Sequence, residues 1–346
     1  MTSAMITASS IKAKNSYTLV KNLQNRFAKS LNKLSKELGE NKSFKEVFWL
    51  RDDGLHGGGS RFEARDNILF NTGSINVSQV HYDEDDTKNL KSATAISTII
   101  HPKNPNVPSV HIHISLTELR NGKTYWRLMA DLNPSILNKD DENKFTSDMQ
   151  NISKDKFEEA KIQGDKYFNI PVLNKTRGVS HFYLENYNSG NEKDDEIFAL
   201  EFGETVIDSY VDIISNAFKT RTTFSVEDIK TQLDYHTLYL FQVLTLDRGT
   251  TSGLLVHNQN DLGIMGSLPS FINKQLLSSW EVLMESPQDE LVKGLVSCID
   301  NNGVINEEVK IKLANMVRVH YTKYPNALNM QASGNTIPTT VNNHKK

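Results

Sequence analysis

The sequence predicts an α+β protein, with an antiparallel sheet packed by helices. Three observations lead there. Strand-like runs follow one another between residues 61 and 132 with short links, the pattern of neighbouring antiparallel strands. Helical periodicity brackets that block on both sides. The chain has 346 residues, 38% of them hydrophobic and 23% charged, which is ample material for a core.

The elements run in this order. Leu19, Leu23, Phe27, Leu31 and Leu34 recur at helical spacing with Lys and Glu between them, predicting a helix over about 17–40. The run Gly57-Gly58-Gly59 predicts a flexible turn. Strands are expected at 61–70, 74–82, 94–100, 110–116 and 124–132, interrupted by a solvated acidic loop at 83–86. Helices are expected at about 140–168 and 200–219, flanking a further strand at 179–185. Strands at 238–247 and 253–257 precede helices from Ser270 onward. The organisation expected is a flexible 1–16, one domain over 17–328, and a disordered Asn-, Thr- and His-rich tail at 329–346.

A net charge of −3 gives no pull toward nucleic acid or an anionic membrane. No apolar run approaches the roughly 20 residues that span a bilayer. The opening MTSAMITASSIKAKNSY lacks the continuous apolar core of a secretory signal, and its want of Arg weakens a transit-peptide reading. The lone cysteine, Cys298, allows no internal disulfide and suits a reducing compartment, so a cytoplasmic location is expected.

The most informative stretch is HPKNPNVPSVHIHIS, residues 101–115. Its prolines at 102, 105 and 108 forbid helix and impose an extended, turning approach. The strand that follows alternates, so His111, His113 and Ser115 share one face and Val110, Ile112 and Ile114 the other. Two imidazoles and a hydroxyl on one strand face need partners or a ligand. His101 and Asn104 fit turn caps, and Tyr125 and Trp126 fit the core. No Walker loop, GxGxxG, HExxH or GxSxG is present, and the triple glycine lacks the Lys-Ser/Thr of a phosphate cradle.

Seven segments in series resemble the oxygen-dependent coproporphyrinogen III oxidases. They are GGGSR (57–61), FNTGSINVSQVH (70–81), SATAISTIIHPKNPNVPSVH (92–111), DLNP (131–134), YFNIP (167–171), RGVSHFYLEN (177–186) and LDRGTTSGL (246–254). The resemblance implies a large flat antiparallel sheet sandwiched between helices, a homodimer, and oxidation of two propionates to vinyls with dioxygen. It implies no metal or organic cofactor. It places Ser97, Asn104, Asp131, Arg177, Asp247 and Arg248 among substrate-binding candidates, each of which could equally serve the scaffold. It also makes His111 an acid/base candidate, with His113 beside it, and Glu185 the acceptor of pyrrole N–H groups.

The departures from the family pattern are concentrated. SHANVR becomes VHIHIS, which keeps His111 but places His113 and Ser115 where Asn and Arg are expected. GGGFDLTP becomes RLMADLNP, so Arg127, Leu128 and Met129 fill space that glycines leave open. IPHR becomes IPVL, and RGIGGLFFDDL becomes RGVSHFYLENY, with His181 for glycine and Glu185 and Asn186 for two aspartates. No arginine stands near His257, Asn258 and Gln259. A charged hydrogen bond contributes about 1.5–3 kcal/mol, so three missing arginines weaken binding of a tetra-anion by several kcal/mol.

Strand alternation puts His181, Tyr183 and Glu185 on one face. Histidines with a carboxylate form the ligand sets of iron, copper and zinc sites, so His111, His113, His181 and Glu185 are candidate metal ligands. The function expected first is the family's dioxygen-dependent oxidation of propionates. The alternatives are a same-fold oxidase or oxygenase, with or without a metal, for a smaller and less anionic substrate, and a non-catalytic binding protein.

Overall fold

The computed structural model describes residues 4–64, 67–338 and 340–344. Seven strands form one antiparallel sheet in the order β1-β2-β3-β4-β5-β6-β9. They are β1 (Lys45–Leu50), β2 (Gly57–Ala64), β3 (Phe70–His81), β4 (Leu90–Pro102), β5 (Ser109–Leu119), β6 (Thr124–Asn133) and β9 (Val179–Tyr187). Two-residue strands β7 (Asn169–Ile170) and β8 (Lys175–Thr176) pair with each other just before β9.

One face of the sheet carries Ile75, Val77, Ile96, Ile112, Ile114, Leu128 and Phe182, all buried under α1 (Ile11–Glu37), α2 (Lys139–Ser153) and α4 (Glu192–Thr220). The stripe read from the sequence is the stripe that packs: Leu19, Leu23, Phe27, Leu31 and Leu34 of α1 are buried there. Burying each such side chain contributes about 1.5–3 kcal/mol. Helix α3 (Phe157–Tyr167) lies on β9. Beyond the opposite face lies a second core built by α5 (Val226–Thr245), α6 (Arg248–Val256), α7 (Asp261–Ile264), α8 (Lys274–Ser279), α9 (Gln288–Ser297) and α10 (Glu307–Lys323). Helix α11 (Thr340–Asn343) closes the series. Among the described residues, no helix is long and apolar enough to cross a membrane.

Several expectations are corrected. Residues 238–247 and 253–257 are helical, in α5 and α6, not strands. Their apolar runs are dense because α5 is buried on most sides, and a short apolar run does not distinguish a buried helix from a buried strand. The capping box at Ser225 and Asp228 marks where α5 starts. The triple glycine lies in β2 rather than a flexible turn. Gly57 (φ +97°) and Gly58 (φ +154°) run so close to their neighbours that a Cβ would sit 2.1 Å from the Gln79 carbonyl oxygen and 2.4 Å from that of Trp49.

The expected strand over 61–70 is divided between β2 and β3, and its Arg65 and Asp66 lie outside the described residues. Within the stretch expected to be flexible, α1 begins at Ile11 with Ser10 as its cap, and Ala8 is buried with its N–H donated to Gln79 Oε1 at 2.8 Å. The described part of the expected disordered tail is also seated, with Gln331 and Asn343 buried.

Candidate active site

The second face of the sheet forms the floor of a cavity of about 250 Å³, roofed by α5 and α6. Register turns period-two alternation into rows. Asn76, Ser97, His113, Met129 and Tyr183 stand side by side across five strands. The next row is Ser78, Ala95, Ser115 and Arg127, and on the other side Ser74, Ile99, His111 and Asp131. Small side chains on β3 and β4 keep this face open; the apolar residues one position away point to the α1 side.

At one end lies a buried charge network. Arg177 Nη2 donates to Asp131 Oδ2 at 2.8 Å, and His111 Nδ1 donates to Asp131 Oδ1 at 2.7 Å. Asn133 Nδ2 adds a bond to Asp131 Oδ2 at 2.6 Å, while Arg177 Nη1 donates to Gln242 Oε1 at 2.7 Å. The guanidinium also stacks over Phe168, 4.3 Å from the ring centroid. Burial pushes the Asp131 carboxyl up, but the Arg177 charge and the His111 bond outweigh it and hold it well below the usual carboxylate range. Burial likewise opposes the Arg177 charge, and Asp131 restores it. An ionised carboxylate only accepts, so His111 donates from Nδ1 and its Nε2 is left for the cavity.

The middle of the floor spends its charges on itself. Arg127 Nε and Nη2 donate to Glu185 at 2.5 and 3.0 Å, and Tyr183 OH donates to Glu185 Oε2 at 2.5 Å. Burial disfavours the Arg127 charge and Glu185 more than restores it. His113 bonds Ser115 Oγ through Nε2 at 3.0 Å. Burial, then the Arg127 charge, pushes His113 well below the ordinary histidine range, so it is neutral. At the roof, Tyr167 OH donates to Asp247 Oδ2 at 2.8 Å, and Asp247 caps α6 by accepting from Thr250 N at 2.6 Å. Arg248 donates to the carbonyls of Ala332 and Gln331 at 2.7 and 3.3 Å.

The structure brings His111, His113, Ser97, Arg177, Asp247 and Arg248 to the cavity, with Asp131 directly behind His111. It does not bring Asn104, which caps its own turn through Asn106 N and donates to Arg221 O at 2.8 Å. His101 is fully buried against Ser109 Oγ and Ser267 O, consistent with its structural reading. Glu185 lies beneath the floor, its oxygens committed to Arg127 and Tyr183.

The four candidate metal ligands do not converge. His181 does share a face with Tyr183 and Glu185, opposite the buried Phe182 and Leu184, as the alternation predicts, but α3 covers it there, with Gly164 packed against its Cβ. His181 points Nδ1 at Asp165 Oδ1 (2.8 Å) and Nε2 at the Arg177 carbonyl (2.9 Å), so both ring nitrogens are engaged within the protein. Among the described residues, no three His, Cys, Asp or Glu side chains are arranged to hold a metal ion.

Sequence reasoning missed Trp49, Tyr239, His257, Asn343 and His344, which also line the cavity. Alternation on β3 and β4, small polar against Ile and Val, was an available signal for the floor. Trp49 Nε1 and Asn76 Oδ1 are buried without a hydrogen-bond partner, one donor and one acceptor on cavity-lining side chains.

Comparison with known proteins matches this arrangement to a family. The family profile described as coproporphyrinogen III oxidase covers residues 15–300. The mitochondrial oxygen-dependent coproporphyrinogen-III oxidase of Rattus norvegicus is 26% identical over 266 residues, 70% of this chain and 58% of the relative. The enzyme of that name from Rickettsia rickettsii (strain Sheila Smith) is 26% identical over 265 residues, 72% of this chain and 93% of the relative. That of Drosophila melanogaster is 27% identical over 302 residues, 80% of this chain and 73% of the relative. The chain thus spans little more than half the length of the rat relative. With the matched region running from the first turn of α1 through the whole sheet to α9, this chain belongs to the coproporphyrinogen III oxidase family.

Proposed function

We propose that this protein is a dioxygen-dependent oxidase whose substrate is smaller and less anionic than coproporphyrinogen III. The observation that carries the reading is the charge inventory of the cavity. Arg127, Arg177 and Arg248 line it, and the first two are already paired with Glu185 and Asp131. A tetracarboxylate would meet one arginine free of an internal carboxylate partner. The volume agrees: about 250 Å³ is below the roughly 300–1,000 Å³ typical of pockets for drug-sized ligands. The unpartnered Trp49 and Asn76 atoms favour a substrate with neutral hydrogen-bonding groups.

In this reading His111 Nε2 takes a proton from an electron-rich substrate while Asp131 holds the imidazole in place and stabilises the charge it gains. The substrate gives up two electrons and two protons, and dioxygen takes both pairs to become hydrogen peroxide. No metal or organic cofactor is needed. We place the protein in the cytoplasm, a reading supported by a single cysteine suited to a reducing compartment, and read it as a homodimer from family membership.

A second reading, oxidative decarboxylation of coproporphyrinogen III itself, is favoured by the His111–Asp131–Arg177 network. The test is dioxygen uptake across electron-rich pyrroles, indoles and phenols bearing at most one carboxylate. The proposal expects uptake with equimolar peroxide for at least one of them, lost in His111→Ala. No uptake with any compound, together with tight binding of one, overturns it in favour of a binding protein.

A further inference from the structure

The chain continues past the family match, which ends at residue 300, and its last described residues cross the cavity. The near end is well anchored. Gln331 Nε2 donates to Thr251 Oγ1 at 2.6 Å and to Tyr321 OH at 3.0 Å. Ala332 accepts from Arg248 Nε at 2.7 Å and donates its N–H to Leu246 O at 3.0 Å. Gly334 then passes the cavity rim so closely that a Cβ would lie 3.2 Å from Tyr183 Cε1.

The far end is only latched. Asn343 Nδ2 donates to Tyr125 OH at a long 3.4 Å. Tyr82 OH, which itself accepts from Arg51 Nη2, donates to His344 Nδ1 at 3.0 Å. Burial pushes His344 down to about 3, so its imidazole is neutral and accepts that bond. Between anchor and latch, Ile337 is exposed, and Pro338 faces the cavity together with Asn343 and His344.

We propose that residues 331–338 and 340–344 form a strap that walls the substrate cavity, with Asn343 and His344 as specificity-determining residues meeting the substrate's far end. The near end is held by four hydrogen bonds. The far end is held by one long bond, one bond to a neutral imidazole and the edge-on contacts of that ring with Tyr82 and His257, so it can swing out without disturbing the sheet. Shortening or releasing it widens the cavity toward Tyr82 and Tyr125. The inference rests on this cavity being the substrate site, not on the identity of the substrate.

Labelling of histidines by diethyl pyrocarbonate, mapped by peptide mass, tests it. The reagent needs a neutral imidazole, which His113 on the cavity floor supplies, and fully buried His101 reports whether the fold is intact. Because labelling scales with the fraction of molecules in the accessible state, deleting residues 337–346 is expected to speed His113 modification about tenfold or more. The double variant Asn343→Ala/His344→Ala is expected to speed it about threefold by the same relation, with His101 silent in both. Unchanged His113 labelling in both variants overturns the strap. If the deletion also labels His101, the fold has opened, and the double variant, which keeps the backbone, decides. Conversion of coproporphyrinogen III by the full chain would remove the proposed substrate class and leave this result standing.

Discussion

The two ends of the cavity floor are built from the same kinds of residue and use them in opposite ways. Around His111, the charges of Arg177 and Asp131 cancel behind the imidazole and leave its Nε2 toward the cavity. Around His113, Arg127, Glu185 and Tyr183 bond one another, and the imidazole is occupied by Ser115. The first end orients one reactive group with buried charge. The second converts positions that would read an anionic substrate into internal structure. A buried ion pair contributes little net stability yet is expensive to break, so both ends resist piecemeal change.

The comparison can be broken most forcefully at Asp131. Asp131→Asn leaves the Arg177 guanidinium buried without a counter-ion, and loss of one partner of such a pair costs about 3–5 kcal/mol. The urea unfolding midpoint should fall accordingly and oxidase activity should vanish; a stable, active variant would remove the network from the account. Arg127→Gly strands Glu185 in the same way and should cost about 3 kcal/mol. Adding Glu185→Gln should recover about half of that, because the pair serves itself and not the ligand. A double-mutant cycle with no coupling would contradict that view.

Acid should separate the ends by degrees. His101, His113 and His257 sit well below the usual histidine value because burial disfavours their charged form, and His236 and His344 are pushed down to about 3. A lowered pKa means the unfolded chain binds more protons, so stability is fully present above the unfolded value near 6.5 and is lost below it. Each such histidine then adds up to about 1.4 kcal/mol per pH unit, and the carboxyl of Asp131 adds to the loss below about pH 4. Unfolding midpoints flat from pH 8 to 7 and falling steeply below 6.5 are expected; midpoints flat to pH 5 would refute buried neutral imidazoles. The smallest effect belongs to Ser115→Ala, which removes one neutral hydrogen bond worth about 0.5–1.5 kcal/mol and should leave turnover intact.

Legibility in the sequence followed locality. The face carrying His111, His113 and Ser115 could be read because β5 is regular and the alternation holds along it. The same alternation put His181, Tyr183 and Glu185 on one face of β9, but α3 covers His181, and Arg127 and Tyr183 occupy Glu185, contacts that lie outside the strand's own pattern. Helix α5 looked like a strand because burial on most sides erases the polar face that marks a helix, and α6, with three buried residues in nine, is too short for its period to show. The seat of His344 was invisible, since its partner Tyr82 is 262 residues away and the tail has no apolar stripe of its own.

The central claim is that the rewired floor no longer suits a tetracarboxylate macrocycle. Incubating the full chain with coproporphyrinogen III, with and without dioxygen, and reading porphyrin fluorescence after chemical oxidation tests it most directly. The account predicts recovery of unaltered coproporphyrin in both arms. Dioxygen-dependent accumulation of a product with two vinyl groups would contradict it.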